Sequence, residues 1–430
     1  MNILVIGSGG REHTLAWKLK QSPKCEKLFV APGNAGTKEV AVNVDIAVND
    51  FEKISNFCIK NKIDMVVVGP EAPLVEGIAD YFTSNSSITH IKVIGPSKQG
   101  AMLEGSKDFS KDFMNKYSVP TAQSRTFNLS NLEEGKSYLQ NCDMPIVLKA
   151  DGLAAGKGVI ICESVEEAQA TLDEMLAQQK FGVASEKVLI EQFLNGIELS
   201  VFVLTDGNNY VVLPEAKDYK RIGEGDTGPN TGGMGAVSPV AFADQAFMQK
   251  VEERVIKPTI AGLKSESICY KGFIFIGLMN VNGDPYVIEY NVRMGDPETE
   301  AVIPRIKTDL VDLFEATANG SLNDMSIDID NNVTTTVVMV SEGYPNSYSK
   351  GKAITNTNNN DGAIVFHSGT IQIDNQIVTN GGRVLAITGS GDSITSALEQ
   401  AYAAIDNINW EGKNFRKDIG QDLLTLEKHL

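Results

Sequence analysis

The chain has 430 residues, 42% of them hydrophobic and 22% charged, with 39 glycines. That length exceeds what one hydrophobic core usually serves, and the composition is too apolar for a disordered chain, so roughly two to four folded domains are expected. The balance of 38 basic against 55 acidic residues leaves a net charge of −17, which argues against a dedicated nucleic-acid binder or a membrane-surface protein.

Cys25, Cys58, Cys142, Cys162 and Cys269 form no C-x-x-C pair, and only His13, His90, His367 and His429 could assist them. Neither a zinc site nor a disulfide framework is indicated, and the cytoplasm is the expected compartment. No apolar run approaches the roughly 18 residues of a membrane span. Met1 and Asn2 lead straight into strand-like Ile3–Ile6 without the features of a secretion signal.

From residue 2 to 95, short apolar runs at Asn2–Ile6, Lys27–Val30, Asp64–Val68 and Lys92–Ile94 alternate with amphipathic stretches at Arg11–Lys20, Phe51–Asn61 and Pro73–Phe82. This alternation predicts a parallel sheet wrapped by helices. Gly7-Ser8-Gly9-Gly10-Arg11-Glu12-His13 follows the first strand and opens the first helix, where amides and the helix dipole gather an anion. A substrate phosphate on Gly9, Gly10 and Arg11 is the leading reading. A nicotinamide site and a bare structural turn are the alternatives, although Glu12 stands where the dinucleotide fingerprint wants its third glycine. Glu71, in the Gly69–Leu74 turn at the carboxyl edge of the same sheet, either holds ribose hydroxyls or is simply solvated.

From Gly105 to about Gly320, strands at Pro145–Lys149, Lys187–Ile190, Leu199–Val203 and Phe273–Val281 mix with a long helix near Asp244–Leu263, which suggests α+β. Ser164-Val165-Glu166-Glu167 reads as a capping box opening a helix to about Ala177, inside a small lobe that begins near Pro120. Lys149-Ala150-Asp151-Gly152-Leu153-Ala154-Ala155-Gly156-Lys157-Gly158-Val159 delivers a lysine from a strand into a loop of small residues. Small residues let amides approach triphosphate oxygens while Lys149 and Lys157 neutralise charge, and the spacing is not that of a P-loop. The Glu191–Glu198 linker offers backbone to an adenine edge, apolar walls at Phe193 and Leu194, and Glu198 toward ribose hydroxyls.

Asp218-Tyr219-Lys220-Arg221 places opposite charges where anionic substrates could meet, and Asp226–Ala236, which includes Gly233, permits close backbone approach to a ligand. Glu289 and Asn291, two apart on a strand, put carboxylate and amide oxygens on one face, a pair suited to a hard cation that also takes nucleotide phosphates. Arg293 and Asp296, in the turn that follows, suit an amino-acid carboxylate and its amine. A surface salt-bridge cluster is the bland alternative. Beyond Ser321, Thr334–Val340, Ala363–Phe366, Thr370–Ile373 and Arg383–Ile387 predict a mostly β terminal domain with a final helix at Ser393–Ile405.

In this order the motifs resemble the glycinamide ribonucleotide synthetase family, the phosphoribosylamine-glycine ligases, over essentially the whole chain. The resemblance is carried by Gly7–His13, Ala31–Thr37, Val68–Leu74, Leu103–Lys107, Lys149–Val159, Asp226–Ala236, Thr379–Leu385 and Arg416–Gly420. It implies a Rossmann-like domain at 1–104, an ATP-grasp domain at 105–325 with a lid lobe at about 120–192, and a mostly β carboxy-terminal domain at 326–430. Overall this is an α/β and α+β multidomain chain.

The resemblance further implies that Lys107, Lys149, Gly156, Lys157, Gly158, Glu191, Phe193, Leu194 and Glu198 surround ATP, and that Glu289 and Asn291 ligate magnesium or manganese. Gly9, Gly10, Arg11, Glu71, Asp218, Gly233, Arg293, Asp296 and Glu298 would meet glycine and phosphoribosylamine, with Arg293, Asp296, Asp218 and Lys157 carrying the chemistry. ATP-grasp relatives usually place a further metal-binding acid where this chain has Gly277. The family's RFGDPEx signature is usually followed by Gln or Met, whereas Met294 and Glu300 stand in here, and Lys217 and Tyr219 depart from its QDHKR segment. A cytoplasmic monomer is expected, with room for transient contact with neighbouring purine-pathway enzymes. The competing readings are a ligase for another amino acid, an NAD-dependent oxidoreductase and a non-catalytic nucleotide sensor.

Overall fold

Ile3, Leu4, Val5 and Ile6 have no exposed surface because their strand is covered on both faces, as parallel sheets require. The computed structural model describes residues 1–153, 158–358 and 360–427. β1 (Asn2–Gly7), β2 (Lys27–Pro32), β3 (Val42–Asn43), β4 (Met65–Val68) and β5 (Lys92–Ile94) pair in parallel in the order β3-β2-β1-β4-β5. The order reverses between β1 and β4, so the turns leaving these two strands flank a crevice at their carboxyl ends. The Gly10–Lys20 helix leaves β1 as expected. The helix predicted at 73–82 is two helices, Glu71–Glu76 and Ile78–Ser84, parted by Gly77 at φ 95°, a left-handed conformation that ends the first.

β6 (Ser124–Asn128), β7 (Ile146–Ala150), β8 (Val159–Cys162) and β9 (Lys187–Gln192) form a separate antiparallel sheet, ordered β6-β9-β7-β8. The Leu132–Leu139 and Val165–Leu176 helices pack on it through Phe127, Leu148, Leu172 and Met175. Ser164 caps the second helix, its hydroxyl accepting from the Glu167 amide at 3.2 Å. The reciprocal bond differs from a capping box, because Glu167 accepts from the Glu163 amide at 2.9 Å.

The remaining strands are β10 (Ile197–Thr205), β11 (Tyr210–Asp218), β12 (Arg221–Gly223), β13 (Thr227–Asn230), β14 (Gly235–Ser238), β15 (Gly272–Val281) and β16 (Asp284–Asn291). They continue with β17 (Val333–Ser341), β18 (Ile364–His367), β19 (Thr370–Ile373), β20 (Gln376–Thr379), β21 (Arg383–Gly391) and β22 (Lys413–Asn414). β12–β13 and β19–β20 are hairpins, and the others make one nine-stranded sheet ordered β16-β15-β10-β11-β14-β17-β21-β18, with β22 beside β17. The strands expected in the terminal region therefore continue a sheet begun before residue 300, through the β14–β17 pairing. The helix expected at 244–263 is Gln245–Val251 and Lys257–Ser265 joined by a π-type turn at Glu252–Ile256. Pro258, which has no N–H to give the ladder, lies two residues past this turn. No helix among the described residues is long and apolar enough to cross a membrane.

Candidate active site

A cavity of about 410 Å³ opens where the crevice of the first sheet, the small sheet and the end of β16 meet. Each of the three contributes to its wall: Arg11 and Glu71, then Gly158, Val159 and Glu191, then Glu289 and Asn291.

On the small-sheet side, Glu191 at the end of β9 lies 2.6 Å from the Lys149 ammonium on β7 and 3.0 Å from that of Lys111. All three are almost fully buried. Burial opposes the Glu191 charge, but Lys149 and Lys111 outweigh it and hold the carboxyl below its usual range. Lys107, one turn before Lys111 on the Lys107–Lys116 helix, lines the same wall and reaches the Gly152 carbonyl at 3.3 Å. Burial depresses the ammonium of both helix lysines. Lys111 was not singled out from the sequence, although its i, i+4 spacing from Lys107 puts both on one face.

Phe193 and Leu194 are half-buried in the β9–β10 connection, outside this wall. Neither amide donates to a described protein acceptor, which leaves both available to a ligand edge. Glu198 is paired with Lys220, which lines the cavity. Gly156 and Lys157 lie outside the described residues.

The opposite wall is crowded with charge. Arg293 pairs with Glu104 at 2.7 Å and stands 3.4 Å from Glu71. Asp296 meets Arg383, from β21, at 3.0 Å. Asp218, at the end of β11, is 4.0 Å from the Lys220 ammonium, and Glu298 accepts from the Ser200 hydroxyl at 3.2 Å. Burial and the neighbouring Asp218 push Glu298 up to about 8, and burial also raises Asp218. Glu104 and Arg383 escaped the sequence reading because the turn sequence around Arg293 carries no sign of partners so distant in the chain.

The glycine-rich turns behave differently from expectation at single residues. The Gly9 amide donates to the Glu12 carboxylate at 2.6 Å, and Arg11 donates to the same carboxylate at 2.6 Å, so Glu12 occupies the anion position of the helix start. Arg11 reaches the cavity; Gly9 and Gly10 do not line it, and a Cβ on Gly9 would stand 3.3 Å from Asp296. Gly232 lines the cavity, whereas Gly233, at φ 118°, backs onto Asp296-Pro297.

Glu289 and Asn291 end β16 on one face, and neither side chain has a hydrogen-bond partner among the described residues. Gly277 is the cross-strand partner of Glu289. Burial opposes ionisation of Glu289, but Lys220, Lys149, Lys107 and Arg293 more than compensate and hold its carboxyl low. Among the described residues no group of three or more His, Cys, Asp or Glu is placed to hold a metal. The free oxygens of Glu289 and Asn291 suit a hard cation that completes its shell with phosphate and water.

This sheet arrangement, with a lysine-rich cleft between a small antiparallel sheet and a larger one, is the ATP-grasp fold. The biotin carboxylase domain of Hydrogenobacter thermophilus 2-oxoglutarate carboxylase shares it, with a TM-score of 0.72, 18% identity, and coverage of 100% of this chain and 97% of that one. Within that class, the chain belongs to the phosphoribosylglycinamide synthetase family. Its N-domain model matches residues 1–104, its ATP-grasp (A) domain model 105–299 and its C-domain model 334–422. The phosphoribosylamine–glycine ligase of Pasteurella multocida is 45% identical, with all of both chains covered. That of Caldanaerobacter subterraneus subsp. tengcongensis is 44% identical over 97% of this chain and 99% of its own. The crystal structure of the Thermotoga maritima phosphoribosylamine–glycine ligase has a TM-score of 0.85 and 35% identity, covering 97% of this chain and 100% of that one.

Proposed function

We propose that the chain joins glycine to 5-phosphoribosylamine at the expense of ATP, giving glycinamide ribonucleotide, ADP and phosphate through a glycyl phosphate intermediate, in purine nucleotide synthesis. One observation carries this: a single cavity holds a lysine wall on one side, an arginine and carboxylate wall on the other, and free Glu289 and Asn291 oxygens among them. Such a site has room for a triphosphate facing an amino acid.

Lys107, Lys111 and Lys149 bind and orient the phosphates, with Gly158 allowing close approach, and the Phe193–Leu194 backbone with Glu198 takes the adenosine end. Gly156 and Lys157 are assigned to cover the phosphates and exclude water. Arg293 and Asp296 hold the glycine carboxylate and amine, with Asp218 and Glu298 beside them. Arg11 and Glu71 take the phosphoribosyl end, backed by Gly9, Gly10 and Gly233. Glu289 and Asn291 hold magnesium or manganese, which when bound neutralises charge on the transferring phosphoryl group. Positioning and charge neutralisation then account for most of the acceleration, and no covalent enzyme intermediate is needed.

We also propose that the enzyme works as a monomer, because one chain supplies every residue named above, and in the cytoplasm, whose reducing conditions suit its free cysteines. The test is ADP release that requires both glycine and phosphoribosylamine. Glu289→Gln is expected to lower turnover at least a hundredfold; near-normal ADP release by this variant at moderate magnesium refutes the metal assignment.

A further inference from the structure

Most carboxylates in the cavity wall are already committed to cations. Glu191 is held by Lys111 and Lys149, Glu104 by Arg293 at 2.7 Å, and Asp296 by Arg383 at 3.0 Å. Glu71 stands 3.4 Å from the Arg293 guanidinium, and Glu289 belongs to the candidate metal pair. Asp218 has only the marginal 4.0 Å approach of Lys220. Glu298 has no cation within 4.0 Å among the described residues and a single hydrogen bond, from the Ser200 hydroxyl at 3.2 Å. It is buried, yet it lines the cavity, tucked against Gly295 where any Cβ would collide with its carboxylate. A cavity-facing carboxylate without a cation partner is free to take a proton.

We propose that Glu298 is the base that receives the proton of the ribosylamine nitrogen as the amide bond forms. The proposal rests on the reaction assigned above. In that step the nitrogen lone pair forms the C–N bond at the acyl carbon of glycyl phosphate. The acyl C–O bond to phosphorus breaks, phosphate leaves with its electron pair, and one N–H proton passes to a Glu298 carboxylate oxygen. A base is most effective when its affinity for protons lies near the working pH, and burial beside a second carboxyl brings Glu298 there. The groups around it are Asp218 on β11, Lys220 just beyond, Arg293 and Asp296 in the preceding turn, and Glu300 on its own helix. Arg11 and Glu12 come from the Gly10–Lys20 helix and Arg383 from β21, while β14 and β17 bring no titratable side chain to this helix.

The test uses the full chain with glycine, ATP labelled with ¹⁸O in the β,γ bridge, and ribosylamine generated in situ. Glu298→Gln is expected to lose glycinamide ribonucleotide formation about a hundredfold or more, the usual scale for a general base. Scrambling of the label within ATP, which reports reversible phosphoryl transfer to glycine, should persist. Ser200→Ala, which leaves Glu298 in place, removes a hydrogen bond that favours the ionised carboxylate. The rising limb of its pH–rate profile, compared with the unsubstituted chain at each pH, should move to higher pH. Loss of scrambling together with product in a folded Glu298→Gln protein would make Glu298 a glycine-positioning residue and overturn the proposal. So would undiminished product formation, or an unmoved limb in Ser200→Ala. Failure of the unsubstituted chain to make product is a different result, and refutes the assigned reaction itself.

Discussion

Glu300 is the one carboxyl of this region whose two oxygens are both buried without a hydrogen-bond partner among the described residues. It is wedged against Gly10, where a Cβ would collide with it. Burial and Asp296 drive its proton affinity well above normal, and Arg383 and Arg11 only partly oppose them. Burial of this kind favours the neutral acid, which has nearly the shape of glutamine. The sign of the consequence follows from proton linkage. An acid that binds its proton more tightly when folded stabilises fully below its unfolded pKa, and that contribution is lost as pH rises through the folded one. Glu300→Gln should therefore melt near the unsubstituted chain at pH 5 and progressively above it toward pH 9. Parallel melting curves across that range would show that Glu300 is ionised in the folded protein. The family signature usually carries Gln or Met at this position, and the burial that favours the neutral form of a glutamate there is recorded in no local motif.

At the scale of elements, the site residues that were legible in the sequence are those placed by a single strand or turn. Lys149, Glu191, Glu289 and Asn291 all sit at strand ends, where alternation and the following loop point them into a cleft. The glycine-rich arm between β13 and β14 was legible only as a class of segment. Its sequence said that backbone approaches something closely, and the structure shows that Gly233 approaches Pro297 and the Asp296 carbonyl rather than lining the cavity. The chain there also turns at φ 118°, which L side chains rarely adopt. Gly233→Ala should therefore displace the Asp296–Pro297 turn and raise the KM for glycine about tenfold or more, while costing on the order of 1–3 kcal/mol of stability. Steady-state kinetics and chemical denaturation separate the two effects. An unchanged KM would mean that the turn around Asp296 is held by Arg383 alone.

At the scale of the whole molecule, the terminal region reads in sequence as a run of short strands with its own helix, and nothing local says what those strands pair with. The structure joins β17 along all four residues of β14, and β21 carries Arg383 to the Gly232 carbonyl at 2.6 Å and to Asp296. Arg416, from still later in the chain, pairs with Asp226 at 2.7 Å and so braces the β12–β13 hairpin that precedes Gly232. Long-range pairings of this kind depend on sheet register and on which edge is free, and neither is written in a strand's own periodicity. A chain ending at residue 325 would expose β14 as a four-residue edge beside unpaired apolar surface from Val237 and Ala236. It is expected to aggregate, or to stay soluble without ADP release, even though the residues assigned to ATP and the metal all precede the cut. Restoring the missing segment in trans should recover activity only if β17 can re-form its pairing with β14. A milder substitution, Arg383→Met, keeps the sheet and removes the cation from Asp296. It should fold normally and lose glycine-dependent turnover while still protecting ATP-site residues from proteolysis when nucleotide is added. Normal turnover in that variant would confine the terminal region to a structural role.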